Sequence, residues 1–148
     1  MSKNKFANAK NIFRYSIPHI YIANSPNKGR GVFAARPLKK GEPIELCPVL
    51  VLPNEDTELI IRSKLYHYYF VWGDDSSRSG LALGFGSLYN HSYQANARYQ
   101  VDYEAETLEI FAYRDIEAGE EIFINYNGEP NDPEPVWFDK KKDRDVTI

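Results

Sequence analysis

The sequence predicts a mainly β protein built as one domain, and three observations carry that prediction. Short extended runs alternate with turn-forming Gly, Pro and Asn residues along most of the chain. Aromatic residues make up 14% of the 148 positions and include 11 Tyr, a residue type enriched in strands. The segment Asn54–Leu65 places acidic residues before basic ones, and this order is typical of a short helix. Many short strands with few helices favour small sheets with helical insertions.

The strands are expected at short apolar or aromatic runs bounded by turns. These runs are His19–Ala23, Val32–Ala35, Pro43–Leu46, Val49–Leu52, Tyr66–Trp72, Ala97–Tyr103, Leu108–Ala112 and Glu121–Tyr126. The pair on either side of residues 104–107 predicts a β-hairpin. Residues 1–18 are polar and basic and are interpreted as an arm, and 19–128 as the folded domain. Residues 129–148 form a C-terminal segment, in which 136–138 (VWF) should dock back on the domain ahead of a charged tail.

Cysteine content and hydropathy exclude several classes of protein. Cys47 is the only cysteine, which excludes an intramolecular disulfide and a cysteine-cluster zinc site, and no metal site is expected. The longest apolar run, at 47–53, is too short to cross a bilayer. The first residues lack the apolar core of a signal peptide. We therefore expect a soluble intracellular protein of the cytoplasm or nucleus, with secretion as an effector left open.

The net charge of −3 conceals an uneven distribution of charge along the chain. Nine Lys and Arg residues precede the first acid, Glu42, whereas eight acids lie between 102 and 121 with only Arg114 among them. The acidic segment could steer a basic partner towards the protein. It could equally be a solvated face of a sheet, and the charge pattern alone leaves both interpretations open.

Three motifs stand out as candidate functional segments. They are Gly29–Ala34 (GRGVFA), Gly84–Ser92 (GFGSLYNHS) and Glu120–Tyr126 (EEIFINY). Glycines allow sharp turns and close approach of the backbone to a ligand, and Asn-His-Ser presents three hydrogen-bonding side chains in a row. Each motif alone also has an ordinary explanation: a hairpin turn, a helix cap or a glycosylation acceptor, and the end of a strand. By itself the second motif is more typical of a cap than of a site.

Taken together and in this order, the motifs resemble the SET domain of protein lysine methyltransferases, in the compact single-domain form of viral and bacterial members. The resemblance runs from about Ile20 to Gly128. It implies the SET (β-clip) fold with a C-terminal pseudoknot and few short helices. It also implies transfer of a methyl group from S-adenosylmethionine to the side-chain amine of a protein lysine.

The resemblance assigns roles to individual residues. Tyr126 matches the catalytic tyrosine, whose hydroxyl orients the amine, and His91 is implied to be a structural hydrogen-bonding residue. The residues implied to bind the cofactor are Lys28, Gly29, Arg30, Gly31, Asn90, His91, Tyr126 and Trp137. An aromatic substrate channel is expected from Tyr68, Tyr99 and Phe138, because ring faces suit aliphatic stems and ammonium groups. Tyr68 could instead be an ordinary aromatic residue of a sheet.

The identity of the substrate and the degree of methylation are not encoded in these motifs. Ile124 stands where a Phe or Tyr often sets the degree of methylation. The expected partner is a lysine-bearing, basic protein such as a histone, or a ribosomal or DNA-packaging protein in a bacterium. A homodimer is left open. The alternatives are a non-catalytic SET-like module that binds lysine-containing peptides, and an unrelated β-domain that uses its tyrosines in assembly.

Overall fold

The structure, a computed structural model, describes residues 19–26, 28–136 and 139. That part of the chain contains two small sheets and three short helices. The strands are β1 (Ile20–Ser25), β2 (Gly29–Ala34), β3 (Pro43–Leu52), β4 (Phe70–Trp72), β5 (Arg78–Ala82), β6 (Asn90–His91), β7 (Ala97–Asp102), β8 (Thr107–Ala112) and β9 (Glu121–Ile124). The helices are α1 (Asn54–Ile61) and two 3-10 helices, Lys64–His67 and Gly86–Leu88.

The pairing of the strands brings distant parts of the chain together. One sheet has the order β1-β2-β9-β6 and the other the order β4-β5-β3-β8-β7. In the first sheet, β2 and β9 are antiparallel, whereas β6 and β9 are parallel. Most pairs in the second sheet are antiparallel hairpins or near neighbours in sequence. The four-stranded sheet therefore depends on contacts between the beginning and the end of the domain.

The core follows from the alternation of side chains along the strands. In β8 the buried residues are Leu108, Ile110 and Ala112, and in β9 they are Ile122 and Ile124. Their neighbours on both strands are only half-buried. The inner faces of both sheets contribute to this core, which also contains Cys47.

The expected mainly β fold of small sheets with few short helices is confirmed. Two local predictions were wrong. The two runs predicted between Pro43 and Leu52 form one ten-residue strand with a register shift near Glu45. Pro48 does not end the strand, because it is exposed and precedes the residues paired with β5, which begin at Val49. Only Phe70–Trp72 of the aromatic run is a strand. Tyr66 and His67, at the start of the run, lie in a 3-10 helix, whose N-cap side chain, Ser63, accepts a hydrogen bond from the Leu65 amide at 3.2 Å.

The helix α1 has acids in its first turn, as predicted, but it ends before the basic residues and has none in its last turn. The expected basic arm at 1–18, Trp137, Phe138 and the charged tail from 140 lie outside the described residues. Within the described part, no helix is long and apolar enough to cross a membrane. The same residues contain no group of three or more His, Cys, Asp or Glu side chains placed to hold a metal ion.

Candidate active site

The four-stranded sheet places the three sequence motifs side by side. Val32 of β2 pairs with Ile122 of β9, and Asn90 of β6 pairs with Phe123 of β9. The GRG segment, the Asn-His pair and the end of β9 therefore meet at one edge of the molecule.

The side chain of Asn90 is held by two acceptors beneath the GRG segment. Its Nδ2 donates to the Arg30 carbonyl at 3.1 Å and to Glu121 Oε1 at 2.8 Å. The other oxygen of Glu121 accepts a hydrogen bond from Ser25 Oγ at 2.7 Å. Gly31 packs against this group, and an added Cβ would lie 2.8 Å from Asn90 Nδ2 and would overlap the Glu121 carboxylate. With both donor hydrogens of its amide used inside the protein, Asn90 can present its oxygen to a ligand.

His91 connects Lys28, which precedes the GRG segment, to Tyr126. Its Nδ1 accepts the backbone N–H of Tyr126 at 3.0 Å, and its carbonyl accepts Lys28 Nζ at 2.9 Å. Burial, and next the nearby Lys28 ammonium, lower the pKa of His91 to about 4. A neutral imidazole that accepts a hydrogen bond at Nδ1 can act as a structural support near pH 7, which is the role that the resemblance implies.

The Tyr126 hydroxyl is fixed as a hydrogen-bond donor. It donates to the Tyr89 backbone carbonyl at 2.8 Å. Burial above all, followed by the electrostatic influence of Tyr68 and Glu121, raises the pKa of Tyr126 to about 12. The phenol therefore keeps its proton at neutral pH, and its lone pairs are left to accept a hydrogen bond from an amine.

Two cavities meet at Tyr126. The first, of about 310 Å³, is lined by Lys28, Gly29, Arg30, His67, Tyr68, Ser87, Leu88, Tyr89, Asn90 and Tyr126. The second, of about 420 Å³, is lined mainly by aromatic residues and shares His67, Tyr68, Ser87, Tyr89 and Tyr126 with the first. Both volumes lie in the range of small-molecule sites. A reactant in one cavity can therefore meet a reactant in the other beside the Tyr126 hydroxyl.

The first cavity has the chemistry needed for a zwitterionic, aromatic ligand such as S-adenosylmethionine. Lys28 provides a cation for a carboxylate, Asn90 an oxygen for an ammonium group, and Leu88 an apolar surface for a base. The Lys28 ammonium also lies 4.8 Å from the centre of the Phe123 ring, which helps to fix its position.

The second cavity has the character of a channel for a lysine side chain. Tyr99 and Phe70 form one part of the wall, with an edge-to-face contact at 5.3 Å between ring centres. Burial raises the pKa of Tyr99, so this wall is uncharged at neutral pH. Residues 134–136 of the C-terminal segment form another part. Val136 is buried there, and its N–H donates to the Tyr93 hydroxyl at 3.1 Å.

The structure thus brings together most of the site residues expected from the sequence. Five of the expected cofactor-binding residues line the first cavity: Lys28, Gly29, Arg30, Asn90 and Tyr126. Gly31 and His91 are buried behind its wall. Tyr68 lines both cavities and Tyr99 the second. Trp137 and Phe138 lie outside the described residues.

Sequence reasoning missed two residues that support the site. Glu121 belongs to the acidic run and to the Glu120–Tyr126 motif, but neither pattern gave it a role. Tyr89 was included in the glycine-containing motif without a role, and it contributes a backbone carbonyl, which no sequence pattern reveals. Both act through bonds to Asn90 or Tyr126.

Comparisons with known proteins agree with this geometry. Residues 29–127 match the SET domain family. A fission yeast (Schizosaccharomyces pombe) histone-lysine N-methyltransferase, described as H3 lysine-37 specific, is 33% identical over 119 residues, which cover 80% of this chain and 76% of that protein. The histone-lysine N-methyltransferase SET9 of Chaetomium globosum is 35% identical over 99 residues, which cover 65% of this chain but only 13% of the longer relative.

Solved structures show the same fold. A Plasmodium falciparum protein described as a candidate histone methyltransferase is 31% identical, with a TM-score of 0.62, and the match covers 81% of this chain and 96% of that one. A chain of the ctPRC2 complex bound to S-adenosylmethionine has a TM-score of 0.65 at 20% identity, over 90% of this chain and 17% of that one.

Proposed function

Because this chain belongs to the SET-domain family and is an S-adenosylmethionine-dependent protein lysine methyltransferase, we propose that its two cavities hold the two reactants. The cofactor occupies the first cavity, and the target lysine enters the second. The observation that carries this assignment is that the two cavities share the Tyr126 wall. The catalytic unit is assigned to residues 19–128, between the basic arm and the C-terminal segment.

The first cavity would hold the cofactor through its methionine end. Lys28 and the backbone of the GRG segment would bind the carboxylate, and the oxygen of Asn90 would accept a hydrogen bond from the ammonium group. His91 acts from behind by keeping Lys28 and Tyr126 in place. When bound, S-adenosylmethionine supplies an electrophilic methyl group on a positively charged sulfur.

The second cavity would prepare the lysine for attack. A free lysine has a pKa of about 10.4, so loss of its proton near pH 7 costs roughly 4–5 kcal/mol. Partial dehydration in the channel and the positive charge on the cofactor sulfur would both disfavour the ammonium form and lower this pKa. The Tyr126 hydroxyl, which donates to the Tyr89 carbonyl, would accept a hydrogen bond from the neutral amine and so direct the amine's lone pair. Alignment of the two reactants contributes several kcal/mol more.

We propose a basic protein as substrate, with a histone tail as the first candidate. The fission yeast relative is named for histone H3. Glu134 is the carboxylate that lines the second cavity, and no Lys or Arg is among the described residues lining it. The backbone around Glu134 is fixed, since its N–H donates to Asp132 Oδ1 at 2.9 Å and its carbonyl accepts Asn127 Nδ2 at 2.6 Å. An intracellular location, in nucleus or cytoplasm, follows from this choice of substrate.

The test compares the wild-type chain with Tyr126→Phe, using labelled S-adenosylmethionine and a panel of histone and other basic proteins. The variant should lose transfer by two or more orders of magnitude. It should still bind the cofactor within about threefold in calorimetry, because the ring remains in the wall. An equal rate in both proteins would remove Tyr126 from the mechanism. Cofactor binding without transfer to any protein in the panel would favour the non-catalytic module.

A further inference from the structure

A buried carboxylate lies under the turn that precedes Asn90, and the mechanism above does not use it. Glu45 is only 7% exposed. Its Oε2 accepts the Phe85 N–H at 2.9 Å, and its Oε1 accepts the Tyr89 hydroxyl at 2.8 Å. The Cys47 thiol is a further hydrogen-bonding partner. Among the described residues, no Lys or Arg forms an ion pair with this carboxylate.

The turn is shaped to fit over this group. Gly84 has a φ of +65°, and an added Cβ would lie 2.5 Å from Glu45 Oε2. An added Cβ on Gly86 would lie 2.7 Å from Cys47 Sγ. The glycines of the second sequence motif are therefore needed by the protein's own interior, where the backbone closes over Glu45 and Cys47.

A buried carboxylate without a cation is unfavourable, and burial raises the pKa of Glu45 accordingly. An apolar side chain at this position would avoid that penalty. A carboxylate at this position is explained if Glu45 is needed to hold its two hydrogen-bonding partners in place. One of those two partners is Tyr89, whose backbone carbonyl accepts the Tyr126 hydroxyl at 2.8 Å.

We propose that Glu45 is a positioning residue for methyl transfer. Its two oxygens fix the turn from Gly84 to Tyr89 near both ends. The position of this turn then fixes the Tyr89 carbonyl, which orients the Tyr126 hydroxyl. Tyr89 lines both cavities, so a displacement of its backbone changes the place where the reactants meet. This inference rests on the proposed role of Tyr126.

The experiment uses three variants of the full chain. Glu45→Met keeps a long side chain and removes both acceptors. Glu45→Gln keeps one acceptor and adds an amide N–H, from which the Tyr89 hydroxyl can accept a hydrogen bond. Tyr89→Phe keeps the buried ring and removes only the bond to Glu45. Glu109→Met is the control: Glu109 lies on β8 of the same sheet and pairs with Leu46, at the outward positions that alternate with Glu45 and Ile110.

The readouts are kcat and KM for a histone peptide, the Kd of S-adenosylmethionine by calorimetry, and the melting temperature. Small misplacements of reacting groups cost up to about a hundredfold in rate. Glu45→Met is therefore expected to lower kcat about 10- to 100-fold, with cofactor Kd within about threefold. Glu45→Gln should recover most of the rate, and the control should equal wild type. Tyr89→Phe should lower kcat about three- to tenfold, and it carries the test if Glu45→Met does not fold.

Each outcome decides one question. A folded Glu45→Met, or Tyr89→Phe, with wild-type kcat would overturn the positioning role. The positioning role would also be overturned if kcat, cofactor affinity and melting temperature fell together in every variant, because that would indicate general loosening of the fold. If wild type itself transfers no methyl group, or if Tyr126→Phe retains full activity, the proposed function fails independently of Glu45.

Discussion

Substitution of Gly31 by alanine should weaken cofactor binding through residues that stand behind the cavity. Gly31 has no positive φ, so alanine can adopt its backbone conformation. The added Cβ would nevertheless press on the Glu121 carboxylate and lie 2.8 Å from Asn90 Nδ2. Glu121 must then move, and it loses its bonds to Ser25 Oγ and Asn90 Nδ2. Released from Glu121, the Asn90 amide is free to turn its oxygen away from the ligand.

The size of the effect follows from the kind of bond lost. A hydrogen bond to a charged group contributes about 1.5–3 kcal/mol, and about 1.4 kcal/mol corresponds to a tenfold change in affinity. Gly31→Ala should therefore raise the Kd of S-adenosylmethionine at least about tenfold. Overpacking should also lower the free energy of unfolding by about 1–3 kcal/mol.

Gly80→Ala separates the two effects. Its added Cβ would also be crowded, at 2.8 Å from the Trp72 ring and 2.9 Å from Val49, but Gly80 lies in the other sheet. Titration calorimetry and urea unfolding should show a similar loss of stability in both variants and weaker cofactor binding only in Gly31→Ala. An unchanged Kd in a folded Gly31→Ala would refute the argument that Glu121 orients Asn90.

Two further predictions concern pH and substrate charge. The ordinary pKa of histidine is 6.5, and the pKa of His91 in the fold is about 4. The stability that neutral His91 contributes to the fold is therefore complete above pH 6.5 and is lost as pH falls towards 4. The asparagine of His91→Asn can still accept the Tyr126 N–H. The difference in free energy of unfolding between wild type and this variant, measured in urea, should shrink as pH falls from 7.5 to 5. A constant difference would contradict the low pKa of His91. Glu134→Lys should lower kcat/KM for a basic peptide about two- to fivefold. Glu117→Lys, at an exposed turn, should leave kcat/KM unchanged. Equal losses of kcat/KM in the two variants would argue against a local role for Glu134.

Local patterns predicted the strands well where burial alternates. The alternation in β8 and β9 is visible in the sequence and appears in the structure. The pattern failed at Tyr66 and His67, where a serine cap and local backbone bonds favoured a 3-10 helix over a strand. Aromatic composition alone could not distinguish these outcomes, because tyrosines suit a cavity wall as well as a sheet.

The site was predictable only in part from residue chemistry. Considered alone, the Gly84–Ser92 motif favoured a helix cap, and the resemblance to a family supplied the cofactor. The roles of Glu45 and Glu121 depend on contacts 40 and 31 residues away in sequence. The Glu121 contact follows from the pairing of β9 with β2 and β6, and the Glu45 contact follows from the pairing of β3 with β5. Short-range hydrophobic periodicity does not encode such pairing.

The pairing of β9 has a consequence for the order in which the protein folds. The hairpins of the five-stranded sheet join near neighbours in the chain, so they can form early and quickly. The four-stranded sheet closes only when Ile122 reaches Val32, across some ninety residues. During synthesis, the GRG segment leaves the ribosome long before the strand that completes its surroundings. Binding of S-adenosylmethionine is therefore a property of the finished domain, and the cofactor can stabilise only a chain that has already closed this loop.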